Sequence, residues 1–354
     1  MRLCRDIAVF ITFLFFVKLI NAQEKGPQFE GWYTRIVDTK NQLSIAIIGG
    51  SFLAKNEIFS PVVPLPGYLA IIFNDEKKHK IDIYEEFPQQ TKILSDGLPV
   101  LGHNQYSTES TYSWTATGYG EIAHNFIELK IPGVIEVSAQ IENFDPFSEL
   151  FSKSSRFLKL KEPIRWYVYS MGSKTKYEIK VINEKSKQFF QGNGVTHQEK
   201  NWGMAFPQKW IWMQAISADH TKKLALSGGV VNLFDLIPIK ASTVGIKTEK
   251  LNWYFAPMSF ANKITYKVYP CQKKIDLTAR SAKRKLQISA WANPDSFVSV
   301  SIPTKNGFKK NGGIESFSAN ISVTAFEKNV LQEMIFFKNA ALEFGGDYMK
   351  CVTK

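Results

Sequence analysis

An all-β fold follows from three features of this 354-residue chain. Apolar and polar residues alternate with period two in one segment after another, turn-forming Gly and Asn clusters separate those segments, and helical spacing is scarce. Successive side chains of a strand point to opposite faces, so such alternation marks half-buried sheets. Only 147–158 and 330–341 have spacing that a helix would tolerate.

Residues 1–22 read as a secretory signal peptide. Arg2 and Arg5 precede an apolar run from Ile7 to Val17, and the small Ala22 supplies the cleavage position. The run is too short to span a bilayer, so the expected location is secreted or lumenal. After the signal the remaining cysteines are Cys271 and Cys351, which either pair as a disulfide or stay as two buried thiols.

Beyond the signal, alternation is clearest at Ile81-Asp82-Ile83-Tyr84, Ile127-Glu128-Leu129-Lys130-Ile131, Tyr177-Glu178-Ile179-Lys180-Val181 and Leu286-Gln287-Ile288-Ser289-Ala290-Trp291. Asp96-Gly97, Gly118-Tyr119-Gly120, Asn306-Gly307 and Asn311-Gly312-Gly313 mark turns at spacings that suit antiparallel sheets. About 330 mature residues exceed one eight-stranded barrel and suit two β-units. The break is placed near 185–194, because alternation stops at Ile182 and the polar run Asn183-Glu184-Lys185-Ser186-Lys187 is followed by Gly192-Asn193-Gly194. This predicts a first unit over 23–188 and a second over 189–354.

The net charge is +12; Arg2, Arg5 and Lys18 against Asp6 place +2 in the signal and leave +10 on the mature chain. Lys283-Arg284-Lys285 is the densest basic cluster in an otherwise dispersed set, as on a solvated surface. The charge also suits peripheral contact with anionic membranes. The sequence has no nucleic-acid-binding motif, and nucleic acid is not an expected partner. Neither His-Glu-x-x-His, paired cysteines, a phosphate loop nor Gly-x-Ser-x-Gly occurs, and His79, His103, His124, His197 and His220 stand singly, so no metal is expected. Asn320-Ile321-Ser322 is an N-glycosylation sequon.

The stretch from Thr196 to Gln214 concentrates Trp202, Trp210 and Trp212 with Glu199, Asn201 and Gln214. Indoles are large and stiff, and their N–H needs a partner when buried, so this mixture suits a dry pocket with a few placed polar groups. Alternation sets Trp210, Trp212 and Gln214 on one face and Lys209, Ile211 and Met213 on the other, with Lys209 arguing that its side is the outer one. By the same rule Lys200, opposite Glu199 and Asn201, faces solvent.

Glu199-Lys200-Asn201-Trp202-Gly203, followed by Phe206-Pro207-Gln208-Lys209-Trp210-Ile211-Trp212-Met213-Gln214, resembles the signature of the tocopherol cyclase family. So do the opening Phe29-Glu30-Gly31-Trp32-Tyr33-Thr34-Arg35-Ile36, Leu224-Ala225-Leu226-Ser227-Gly228-Gly229 and the closing Leu342-Glu343-Phe344-Gly345-Gly346. The resemblance implies two tandem lipocalin-like antiparallel units with a hydrophobic cavity at or near their junction. It also implies closure of a chromanol ring: the alkene of a prenylated hydroquinone is protonated, and the phenolic oxygen captures the tertiary cation. The implied partner is therefore a small hydrophobic prenylated ligand, and this redox-neutral step calls for no cofactor.

Such chemistry needs an acid kept protonated by an apolar cavity, aromatic walls facing the cation, and excluded water. Glu199 is the leading acid, its structural alternative being an ion pair with Lys200 or a distant arginine. His197 is a second proton donor and Glu30 a reserve carboxylate. Trp32, Tyr33, Asn201, Trp202, Trp210, Trp212 and Gln214 are candidate substrate contacts, although Trp32 and Tyr33 suit a packed barrel plug better than ligand contact. The secretory signal departs from the plastid location of the photosynthetic relatives. A lipid or terpenoid carrier, or a structural β-protein whose aromatics form core, accounts for the same residues without an acid.

Overall fold

The computed structural model describes residues 28–53, 65–95, 112–145, 164–183, 186–233, 237–256 and 262–351. The expected signal peptide and the helical expectation at 147–158 lie outside these residues. The first sheet is built from β1 (Phe29–Asp38), β2 (Leu43–Phe52), β3 (Gly67–Asp75), β4 (Lys80–Glu86), β5 (Thr91–Ser95), β6 (Tyr112–Ala116), β7 (Gly120–Ala123), β8 (Phe126–Ile131), β9 (Ile135–Glu142), β10 (Ile164–Asn183) and β11 (Ser186–Gly203). The second comprises β12 (Lys209–Ile216), β13 (Lys223–Leu233), β14 (Ile237–Lys247), β15 (Asn252–Phe255), β16 (Lys263–Tyr269), β17 (Lys274–Arg280), β18 (Arg284–Trp291), β19 (Val298–Thr304), β20 (Gly307–Glu327) and β21 (Val330–Gly346).

All the strand pairs are antiparallel, in the orders β4-β3-β2-β1-β11-β10-β9-β8-β7-β6-β5 and β15-β14-β13-β12-β21-β20-β18-β17-β16, with β19 on β20. Each sheet curls into a half-barrel around its own apolar core, giving the lipocalin-like all-β architecture. Closure of the first is visible where Thr91 bridges Leu65 and its hydroxyl lies 2.5 Å from that of Ser51, to which the Trp114 indole also donates at 3.0 Å. Trp32, Ile36, Ile45 and Ile179 fill the first core; Ile211, Met213, Leu224, Ile288 and Phe344 fill the second. A Cys271–Cys351 disulfide staples the second half.

Two sequence expectations are corrected. Residues 330–341 are strand, paired with β20 across a turn at Lys328 and Asn329 whose φ values of 49° and 65° suit a tight hairpin. The helical look arises from a bulge: Asn339 adopts φ 52° opposite register shifts between Ser316 and Ile321, which breaks period two. The second correction concerns the break at 185–194, since Ser186–Gly203 is one strand, paired with β10 from Ser186 opposite Asn183. β11 stays in the first sheet, pairing with β1 from Val195 to Gly203, and the chain changes sheets only between Gly203 and Lys209.

The two halves share one pattern at their centres. β1 lies between β2 and β11, and β12 lies between β13 and β21. Tyr33 faces Ile48 and Glu199 across its two ladders, and Trp212 faces Ser227 and Glu343 across the corresponding ones. The same register aligns Gly49-Gly50 with Gly228-Gly229, a correspondence carried by so few identical residues that it is hidden in the sequence.

Candidate interlayer acid site

The strands at each centre present two faces, one to their own half-barrel and one to the other sheet. Tyr33 and Arg35 of β1, and His197, Glu199 and Asn201 of β11, look across to Trp210, Trp212 and Gln214 of β12, Glu315 and Phe317 of β20, and Glu343 of β21. Cross-sheet contacts fix this layer. The Tyr33 hydroxyl donates to Glu315 Oε1 at 2.8 Å, the Trp212 indole donates to Glu199 Oε2 at 3.0 Å, and the Tyr33 and Trp212 rings meet edge to face at 4.8 Å. Arg35 is fully buried and donates to Gln214 Oε1 and the Asn339 carbonyl, each at 2.8 Å, with its guanidinium 4.7 Å from the Phe317 ring centre.

Three carboxyl groups share this space. Glu199 is an acceptor: besides the Trp212 indole it receives Asn201 Nδ2 at 3.4 Å, and His197 Nε2 lies 2.9 Å from its Oε2. The other imidazole nitrogen, Nδ1, is buried with no hydrogen-bond partner. Glu315 and Glu343 stand directly opposite each other in the β20–β21 ladder. Burial pushes the Glu315 carboxyl well above the usual carboxylate range, and the neighbouring Glu343 charge adds to the rise. Burial likewise pushes Glu343 up to about 7, against the opposing effect of the Trp210 indole that donates to it at 2.6 Å. Removal from water makes ionisation costly, and Arg35 is the cation that faces Glu315. Gly345 is what admits Trp210 here, since a Cβ on it would fall 1.8 Å from the indole ring.

The candidates named from sequence therefore separate into two groups. Tyr33, His197, Glu199, Asn201, Trp210, Trp212 and Gln214 meet in the interlayer. Trp32 and Trp202 do not, because alternation turns them into the first half-barrel. Lys200, expected in solvent, is buried there too: its ammonium lies 2.7 Å from Glu30 Oε2 and over the rings of Trp32 at 4.8 Å and Trp202 at 5.3 Å. Solvent was the wrong inference because both faces of β11 are covered from Gly194 to Gly203. The same reason reverses the reading of Lys209, whose side of β12 carries Ile211 and Met213 into the second core.

Glu315, Glu343 and Arg35 were missed as site residues. Each is a charge flanked in sequence by small or apolar residues (Thr34 and Ile36, Ile314 and Ser316, Leu342 and Phe344), and a charge at an inward position is the signal that could have flagged them. Among the described residues no three His, Cys, Asp or Glu side chains converge as a metal site would need. A surface groove of about 500 Å³, lined by residues including Thr265, Asp276, Gln287 and Thr324, lies on the outer face of the second sheet, away from the interlayer acids.

A family model described as tocopherol cyclase-like matches residues 155–346, more than half of the chain. No curated protein matches in sequence. In fold the chain is similar to the crystal structure of CghA, with 11% identity over 91% of this chain and 88% of that one and a TM-score of 0.56. It is also similar to CghA with Sch210972, with 10% identity, coverages of 90% and 88% and a TM-score of 0.54. Kievitone hydratase from Nectria haematococca aligns at 11% identity over 90% of this chain and 88% of that one, with a TM-score of 0.45.

Proposed function

Because this chain belongs to the tocopherol cyclase-like family, we propose that it is an acid-catalysed cyclase that closes a chromanol ring on a prenylated hydroquinone, working in the layer between its two half-barrels. The observation that carries this reading is the gathering of Glu199, Glu315 and Glu343 beside Tyr33, Trp210 and Trp212 in that layer. Two carboxyls opposed across a ladder and desolvated cannot both ionise cheaply, so the pair holds a proton where an ordinary carboxylate has lost it.

The proposed chemistry balances without an oxidant. The proton held by Glu315 and Glu343 is delivered to the alkene carbon whose protonation leaves the tertiary cation. The indoles of Trp210 and Trp212 and the Tyr33 ring stabilise that cation through their electron-rich faces. The phenolic oxygen then forms the new C–O bond, and its proton passes to Glu199, assisted by His197. One proton enters and one leaves, so the product is an isomer of the substrate. This arrangement transfers the acid role expected of Glu199 to Glu315 and Glu343 and casts Glu199 as the acceptor its hydrogen bonds describe. Asn201 and Gln214 hold Glu199 and Arg35 in place.

The test is incubation of the mature protein with a panel of prenylated hydroquinones under reducing conditions, followed by chiral chromatography with mass detection. A single-enantiomer chromanol supports the cyclase. Quinol retained unchanged by the protein points to a carrier and overturns the catalytic reading.

A further inference from the structure

Four of the eight large apolar side chains that stand exposed among the described residues fall within seven positions of β21: Val330 at 63%, Leu331 at 50%, Met334 at 69% and Phe336 at 52% exposure. The other four, Leu94, Phe144, Phe189 and Ile239, are scattered along the chain. Isolated exposed apolar residues are ordinary, whereas a cluster marks a surface that is meant to be covered. This cluster starts at the turn between β20 and β21, beside the turn between β17 and β18, and the two are joined where the Lys328 amide donates to the Lys283 carbonyl at 2.7 Å.

The second turn carries the densest basic cluster of the sequence, Lys283-Arg284-Lys285. Lys328 stands on the first turn and Lys338 on the same outward face of β21 as Met334 and Phe336; both lysines are exposed. The nearby acids do little to neutralise this end. Glu327 is taken by Arg284 at 3.3 Å, and Glu333 points the other way, to Lys222 at 3.3 Å and the Thr248 hydroxyl at 2.8 Å. An apolar ridge is thus flanked by cations on a stiff hairpin.

We propose that this end of the second sheet, formed by 281–285 and 328–338, is a docking surface for an anionic lipid bilayer. Val330, Leu331, Met334 and Phe336 enter the boundary between headgroups and acyl chains, while Lys283, Lys285, Lys328 and Lys338 lie against anionic headgroups. A bilayer supplies hydrocarbon and negative charge together. A second copy of this chain would set the same cations against one another, so the charge argues against self-association as the cover. The proposal stands on the surface alone and is independent of the chemistry assigned to the interlayer.

The mature protein is sedimented with phosphatidylcholine vesicles, with and without phosphatidylserine. Binding to the serine-containing vesicles is expected, with about a tenfold or greater loss in Met334→Ser/Phe336→Ser. A smaller loss is expected in Lys283→Ser/Lys328→Asn, and release at high salt, where screening shortens to about 3 Å. All four residues are exposed, and unchanged thermal transitions confirm that the variants fold. No sedimentation with vesicles, or sedimentation that both double variants leave unchanged, overturns the proposal. So does self-association abolished by Met334→Ser/Phe336→Ser in the absence of vesicle binding.

Discussion

The two half-barrels use the same central ladder for opposite purposes on their inner faces. In the second, the positions of β12 and β21 that look inward carry Ile211, Met213, Leu342 and Phe344, a hydrocarbon core. In the first, the corresponding positions of β1 and β11 carry Trp32, Thr34, Gln198 and Lys200, with Glu30 and Trp202 one pair further along, so a buried ion pair sits among aromatics. Toward the interlayer the halves instead converge. Glu199 and Glu343 hold matching places, as do Tyr33 and Trp212, whose rings touch, and Arg35 and Gln214, which hydrogen-bond to each other. A shared backbone pattern thus supports three different settings: a dry ladder inside the second core, a buried ion pair inside the first, and a layer whose carboxyls resist ionisation.

This contrast is broken most strongly at Lys200. Lys200→Met leaves Glu30 buried and unpaired and is expected to cost about 3–5 kcal/mol in a guanidinium titration. Adding Glu30→Leu should restore most of that loss. The change Leu342→Met in the second core, apolar before and after, should cost less than about 1.5 kcal/mol and need no second change.

The disulfide marks the next difference, since it lies in the second half. Its removal in Cys271→Ser/Cys351→Ser is expected to cost about 2–4 kcal/mol. Hydrogen exchange should then accelerate in β16, β17 and β18 while the first sheet keeps its protection. Equal acceleration in both sheets would mean that the halves do not hold separate cores.

Tyr33→Phe and Trp212→Phe sharpen the convergent side. Each strips one donor from a buried carboxyl, Glu315 or Glu199 respectively, and each is expected to cost about 1–3 kcal/mol by thermal denaturation. Changes that add up independently would argue against a shared layer, because the two rings are in contact.

The last comparison is a slope with pH. Glu343 moves from an ordinary 4.5 to about 7 on folding, so the native state binds more protons than the unfolded chain between these values. Stability from this group is therefore fully present below about 4.5, declines as pH rises to about 7, and is level above. Glu343→Gln should remove that decline from a melting-temperature series.

Strand character was legible wherever one face was wet, as at Ile127–Ile131. It was lost where bulges interrupt period two, and Asn339 made a strand look helical for that reason. Strands covered on both faces misled in another way: Lys200 and Lys209 were assigned outward by charge, yet neither lies on an outer face of its sheet. In the site, the Glu199–Gln214 block stood out through its tryptophans. Glu315 and Glu343 did not, because their meaning lies in a long-range register that no local pattern encodes. Trp32 and Tyr33 are neighbours in sequence and belong to different compartments, which follows from alternation but requires knowing that both faces of β1 are buried.

The most direct test of the interlayer account compares turnover of a prenylated hydroquinone by Glu315→Gln with that of the parent, with quinol binding and the thermal transition measured alongside. The account predicts chromanol formation reduced by about 10²-fold or more while binding and folding are retained. An unchanged rate in Glu315→Gln would contradict it.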